Sequence, residues 1–333
     1  MKYVFFLLVL LAVVSCRGKS DTIKDVVGSE RFELVENWSE AGDIQLGQPT
    51  GIGVGKNDHL FIFHRAGRKW TEPFPDSVIS ANTIMELDKS GKVVNTWGGN
   101  YFIMPHGLTV DKENNIWVTD VGLHQVFKFT KEGRLLMKLG VVKQPGNDSL
   151  HFNLPTDIAV ADDGYFYVSD GYGNSRVVKF SPTGKYIKSW GRYGTCEGEF
   201  NIPHGITIGE KNIIYVADRQ NNRVQLFDSS GNFLKELKND EDVEQLPSLT
   251  LDYKGNLYVI DYDPTIMEDS TVKGSTIFMF DSAQKVSTHF GAKGSGGRTS
   301  SWFHDIAIDS KGNIYVGDIR ASKVLKFRRK DLF

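Results

Sequence analysis

Six segments of one pattern recur along this chain of 333 residues, and a fold has to give all six equivalent surroundings. They read QPTGIGVGKNDHLFIFHR from Gln48, MPHGLTVDKENNIWVTD from Met104, LPTDIAVADDGYFYVSD from Leu154, IPHGITIGEKNIIYVAD from Ile202, LPSLTLDYKGNLYVID from Leu246 and FHDIAIDSKGNIYVGD from Phe303. Each holds two short runs of alternating apolar and polar residues around a turn rich in Asp, Asn and Gly, the period-two mark of antiparallel strands. Their starts step by about 44 to 57 residues, room for four strands per unit. A third run follows most units, as in HQVFKF, SRVVKF, NRVQLF and SKVLKF, and a fourth follows a Gly turn, as in GKVVNTWG, GRLLMKLG and GKYIKSWG. The predicted fold is therefore all-β, a six-bladed β-propeller. The sixth unit stops at KVLKFRRKDLF without a fourth strand, whereas RFELVENW near the start is a fourth strand with no unit before it. Residues 32 to 38 are expected to complete the last blade and close the ring, which hides sheet edges that would recruit other chains.

With 40% hydrophobic residues and 34 glycines the chain has the core and the turns for such a ring, and residues 32–333 read as one domain. A formal net charge of −2, from 39 basic and 41 acidic residues, leaves no basic excess for nucleic acid. The short KFRRK run reads as a solvated strand end, and a monomer is expected. Ahead of the ring, Lys2 is followed by YVFFLLVLLAVV, too short to span a bilayer, so residues 1–15 read as a secretory signal. The VVSC that ends it resembles the bacterial lipobox, with Cys16 as the lipidated first residue of the mature protein; an ordinary cleaved signal is the alternative. Residues 16–31 then form a polar tether, and the expected location is the bacterial cell envelope, membrane-anchored through lipid and facing the periplasm or exterior. That leaves Cys196 as one thiol in the ring, without a disulfide partner or a neighbour at metal-ligand spacing.

The residue after the leading Pro of each unit, or its equivalent, is Thr50, His106, Thr156, His204, Ser248 and His304. Imidazole fills every second place. The first strand of a propeller blade lines the central channel, so three side chains should reach the axis about 120° apart. Three imidazoles with an open fourth position make a catalytic zinc arrangement, although neutral imidazole also suits Fe, Cu or Co. A single such histidine is more often a hydrogen-bonded channel residue; the shared register and the alternation favour a metal cage. His59, His64, His124, His151 and His289 follow no such order.

Antiparallel pairing puts the end of each second strand on the same rim as the start of the first. The residues there are Arg65, Val121, Tyr172 (one place later), Arg219, Tyr262 and Ile319. The guanidinium forks of Arg65 and Arg219 match a carboxylate, and a neighbouring cation favours the phenolate, which suits Tyr172 as a general base. A surface ion pair is the other reading of each arginine. Arg176 and Arg223 open third strands in NSRV and NNRV and read as scaffold.

The ordered set P-H-G, D-G-Y-x-N-S-R, A-D-R-x-N and F-H-D, with F-I-F-H-R in the first unit, resembles the NHL-repeat propeller of peptidyl-α-hydroxyglycine α-amidating lyase. The resemblance runs from about Arg31 to Phe327. It implies that His106, His204 and His304 bind a catalytic zinc, that Tyr172 is the base and that Arg65 and Arg219 flank it. It further implies a structural calcium on the carbonyls of Ile52 and Leu108 and the carboxylate of Asp305; Asp157, at the equivalent place in the third unit, reads as a turn cap. The implied reaction cleaves a carbinolamide N–C bond, turning a peptide that ends in α-hydroxyglycine into the peptide amide and glyoxylate. One departure is Gly173 in DGYGN, where secreted animal relatives have Cys, so another carbinolamide or small carboxylate is a possible substrate. Two rival readings are a metal-dependent hydrolase of the six-bladed lactonase type and a non-catalytic NHL module that binds a protein or glycan.

Overall fold

The computed structural model describes residues 29–39, 46–238, 245–262, 275–281, 283–291 and 301–330. Its strands form six four-stranded antiparallel sheets. After the lone strand β1 (Phe32–Val35), blade 1 is β2 (Pro49–Val54), β3 (Leu60–His64), β4 (Ile84–Leu87) and β5 (Val93–Trp97). Blade 2 is β6 (Pro105–Val110), β7 (Ile116–Asp120), β8 (Gln125–Phe129) and β9 (Leu135–Leu139); blade 3 is β10 (Asp157–Val160), β11 (Phe166–Asp170), β12 (Arg176–Phe180) and β13 (Tyr186–Trp190). Blade 4 is β14 (Pro203–Ile208), β15 (Ile214–Asp218), β16 (Arg223–Phe227) and β17 (Phe233–Leu237); blade 5 is β18 (Gln245–Leu251), β19 (Leu257–Tyr262), β20 (Thr276–Phe280) and β21 (Val286–Gly291). Blade 6 is β22 (Phe303–Ile308), β23 (Ile314–Asp318) and β24 (Lys323–Arg329), with β1 as its outer strand. Phe32 pairs with Arg329 and Val35 with Lys326. Phe32 is fully buried, stacked on Phe290 at 4.5 Å, so the chain's first strand is seated in the core between blades 5 and 6.

Each blade packs its apolar face on the next. Phe61, Phe63, Phe102, Phe127 and Phe129 fill the seam between blades 1 and 2, and Trp117, Phe152, Phe166 and Phe180 the seam between blades 2 and 3. Burying an aromatic side chain of this size stabilises by roughly 1.5–3 kcal/mol, and the seams hold many. At the axis the six inner strands stand side by side, β2 against β6, β6 against β10 and so on round to β22 against β2. The glycine of each P-H-G sits where the strands nearly touch: a Cβ on Gly107 would lie 2.6 Å from the Thr156 carbonyl oxygen.

The Asp that ends most second strands clasps the chain as it enters the first. Asp120 accepts from the Ile103 and Met104 amides at 2.8 and 2.9 Å, Asp218 from Asn201 at 2.7 Å and Asp318 from Trp302 at 3.1 Å. Each clasp falls just ahead of His106, His204 or His304. Blade 1 has His64 in place of the Asp, and its Nδ1 accepts from the Gly47 and Ala66 amides at 3.3 and 3.2 Å. Burial pushes the His64 imidazole down to about 4, which keeps that nitrogen a neutral acceptor.

Candidate metal centre

Thr50, His106, Thr156, His204, Ser248 and His304 all line one small cavity on the axis. One ring nitrogen from each of His106, His204 and His304 lies within 4.8 Å of the others, and all three residues are buried. The orientation comes from the neighbouring blades. His106 Nδ1 lies 2.6 Å from the Thr156 carbonyl of blade 3, His204 Nδ1 2.7 Å from the Pro247 carbonyl of blade 5 and His304 Nδ1 2.8 Å from the Thr50 carbonyl of blade 1. A carbonyl only accepts, so each Nδ1 carries the proton and each Nε2 offers a lone pair. This is the outer-shell contact that fixes ligating imidazoles.

Burial first, and then the neighbouring imidazoles and guanidinium groups, hold His106 and His204 well below the ordinary imidazole value. Burial followed by the Arg65 charge takes His304 down to about 3. All three are therefore neutral near pH 7, the state in which imidazole ligates metal. The Tyr172 hydroxyl lies 3.1 Å from His106 Nε2 and 3.0 Å from His204 Nε2. One hydroxyl proton faces two lone pairs, and a cation among the rings would take up the lone pairs. The donor set thus fits a metal ion, and this cluster could hold one.

The rim residues after the second strands are tied to this floor through the backbone. The Arg65 amide donates to the Gln48 carbonyl at 3.1 Å, that of Tyr172 to Leu154 at 3.4 Å and that of Arg219 to Ile202 at 3.1 Å. Arg219 Nη1 donates to the Tyr172 hydroxyl at 3.3 Å, its guanidinium carbon stands 5.2 Å from the Tyr172 ring, and its buried Nε has no protein acceptor. Arg65 is 3% exposed and donates to the Pro105 carbonyl at 3.2 Å and the Gln48 side chain at 3.0 Å. Burial lowers it to about 10, against the opposing pull of Tyr172 and Asp120. Among the described residues no carboxylate contacts either arginine, unlike Arg176 and Arg223, whose Nε atoms lie 2.9 and 2.8 Å from Asp170 and Asp218. Tyr262 reaches the rim differently: it is buried, stacked on Trp302 at 4.7 Å with its hydroxyl donated to Gln245.

Beneath the histidines, Ile52, Leu108 and Asp305 line one cavity, and Asp157 faces it too. Asp305 accepts from the Ile52 amide and the Ser248 hydroxyl, both at 2.6 Å, and its carboxyl is pushed up to about 7 by burial. Asp157 is no turn cap. It accepts from the Ile206 amide of blade 4 at 3.0 Å, and enclosure and then the Asp305 charge raise its carboxyl well above the usual range. Sequence reasoning missed this facing pair because Asp157 and Asp305 lie three blades apart. It also missed Gln48 and Trp70 beside Arg65, for which no pattern gave a signal; the recurring Asp of the second strands was visible without its role. Cys196 is exposed, and Cys16 lies outside the described residues.

Family models agree with the fold: a six-bladed β-propeller model matches residues 145–273 and an NHL-repeat model residues 102–129. The peptidyl-glycine α-amidating monooxygenase B of Xenopus laevis is 36% identical over 304 residues, 86% of this chain and 34% of that protein. The peptidyl-α-hydroxyglycine α-amidating lyase 1 of Drosophila melanogaster is 34% identical over 331 residues, 90% of this chain and 60% of that one. The chain is a homologue of the amidating lyases. It spans between a third and three-fifths of the length of these two relatives. A solved streptogramin B lyase superposes with a TM-score of 0.60 at 16% identity, covering 90% of this chain and 98% of that one, a likeness of fold alone. The relatives also correct the expected location. They are animal amidating enzymes, from Xenopus and Drosophila among others, which overturns the reading of a bacterial lipid-anchored envelope protein. That reading rested on four residues, VVSC, too short a pattern to identify a lipid anchor. Among the described residues no helix is long and apolar enough to cross a membrane.

Proposed function

We propose that this amidating-lyase homologue is a metal-dependent carbon–nitrogen lyase that converts peptidyl-α-hydroxyglycine to the peptide amide and glyoxylate. The observation that carries the reading is the Tyr172 hydroxyl, held at hydrogen-bond distance from two of three converging imidazoles and from the Arg219 guanidinium. The names and 34–36% identity of the relatives support the same chemistry. The carboxylate-free guanidinium groups of buried Arg65 and half-buried Arg219 suit the substrate carboxylate, since a partly desolvated cation with spare donors recruits an anion.

In this reading the carboxylate lies against Arg65 and Arg219, which sets the carbinol hydroxyl beside Tyr172. Having released its own proton to solvent, Tyr172 accepts the carbinol hydroxyl proton; the C–O bond becomes the aldehyde C=O as the C–N electron pair leaves on nitrogen. The same proton then passes from Tyr172 to that nitrogen, giving the primary amide and glyoxylate with no water consumed. The arginines steady the negative charge as it moves. A zinc ion held by His106, His204 and His304 would supply Lewis acidity toward the substrate oxygen. A calcium ion would be held in the cavity below by oxygens of Ile52, Leu108 and Asp305, which line it together with Asp157.

The deciding experiment is glyoxylate release from an α-hydroxyglycine-extended peptide, by the metal-loaded protein, by chelated protein and by Tyr172→Phe. Turnover should be abolished by chelation, restored by zinc, and reduced by the substitution. No glyoxylate from protein shown to carry a full complement of metal would reject the reaction, and ester or lactone turnover that survives Tyr172→Phe would favour hydrolase chemistry instead.

A further inference from the structure

Blade 1 departs from blades 2, 3, 4 and 6 in the link between its second and third strands. In blades 2, 4 and 6 that link runs only from Asp120 to Gln125, Asp218 to Arg223 and Asp318 to Lys323, whereas in blade 1 it runs from His64 to Ile84. The long link turns back over the mouth. Arg68 fastens it, donating to the Ser77 carbonyl at 2.6 Å and across to the Ile103 carbonyl of the blade 2 approach at 3.2 Å. Its apex sets Trp70 between two groups that come from different blades. The Arg65 guanidinium carbon is 5.3 Å from the indole centroid, and the Tyr172 ring of blade 3 is 5.2 Å away at 52°. Phe74 backs the indole edge-on at 4.8 Å, and the indole Nε1 donates to Glu72 at 3.3 Å. Trp70 is half-buried, so part of its surface stays open at the mouth.

We propose that Trp70 is the subsite for the side chain of the residue preceding the hydroxyglycine, and that it selects apolar and aromatic residues there. The inference rests on the lyase reading and deepens it by naming the substrate class. With the carboxylate on the arginines and the carbinol at Tyr172, the preceding residue starts one peptide unit away, about 3.8 Å between Cα atoms. The indole touches both anchoring groups, so its open surface falls within that reach. Tyr262, another rim aromatic, is 4% exposed and offers no comparable face. An indole stacked on a guanidinium and braced by a second ring is already ordered, so a substrate side chain packing on it loses little conformational freedom of the protein.

Two substrates that differ only in the preceding residue, acetyl-Phe-α-hydroxyglycine and acetyl-Gly-α-hydroxyglycine, test this through their kcat/KM ratio for glyoxylate release. The wild type should favour the Phe substrate by roughly tenfold or more, the scale of hydrophobic-pocket discrimination. Trp70→Ala should bring the ratio within about threefold of unity, and Trp70→Phe should hold an intermediate value. Circular dichroism and melting curves establish that each variant is folded; should Trp70→Ala unfold, Trp70→Phe carries the test by its intermediate ratio. A wild-type ratio near one, or a preference that survives in the folded variants, overturns the subsite while leaving the lyase reading standing. No glyoxylate from metal-loaded wild type removes the lyase reading and this subsite with it.

Discussion

At the scale of the residue, the candidate centre depends on a few protons being in fixed places. Each cage imidazole gives its Nδ1 proton to a carbonyl of the next blade, so the lone pairs converge without any side chain having to move. Replacing Tyr172 by Phe keeps those contacts and removes the one acid–base group among them. Expected is a fall in kcat of about 10²–10⁴-fold with metal content unchanged, measured by steady-state kinetics beside elemental analysis. Arg219→Ala should act mainly on KM for carboxylate substrates, because the guanidinium meets no carboxylate of its own in the described residues; a fall confined to kcat would contradict that role. The three histidines were legible in sequence because register and alternation single them out among eight. Their acceptors were not, since a backbone carbonyl leaves no trace in the residue code and only the spacing of adjacent blades brings it to Nδ1.

At the scale of the element, strands were the easiest feature to read, because alternation of apolar and polar residues repeats six times. The long link that carries Trp70 has no period at all, so nothing in the sequence placed its indole against Tyr172. The clasps between second and first strands lead to a pH prediction. Burial raises the Asp120 carboxyl to about 6, whereas in the unfolded chain it titrates near 3.9. Between those values the folded protein binds the proton that the unfolded chain has released, so this group lowers stability as pH rises from about 4 to 6. Asp120→Asn should therefore shrink the difference in unfolding free energy between pH 4 and pH 7 by on the order of 2 kcal/mol, read from denaturant titrations. An unchanged difference would show that Asp120 does not carry it. Gly107→Ala tests the close approach of β6 and β10: the added carbon would press on the Thr156 carbonyl that holds His106. It should cost roughly 1–3 kcal/mol and weaken retention of a metal ion in a competition with chelator.

At the scale of the whole molecule, the ring is held by seams between blades and by a first strand seated on the last. Phe32→Ala removes a ring buried against Phe290 and Tyr258, and a loss of about 3–5 kcal/mol should appear as a lower melting temperature. A shift of less than a degree would mean that β1 is an ornament of the sheet. The six-fold plan was plain from the repeat, while the pairing of Asp157 with Asp305 across the channel came only with the third dimension. The seat of β1 on β24 also has a bearing on how the protein is born. Ribosomes deliver His304 on the order of ten to forty seconds after His106 at roughly 5–20 residues per second, and β1 waits for its neighbour until β24 has been made. A nascent chain that has not yet made β22 to β24 therefore lacks one wall of the ring and the third imidazole of the cage.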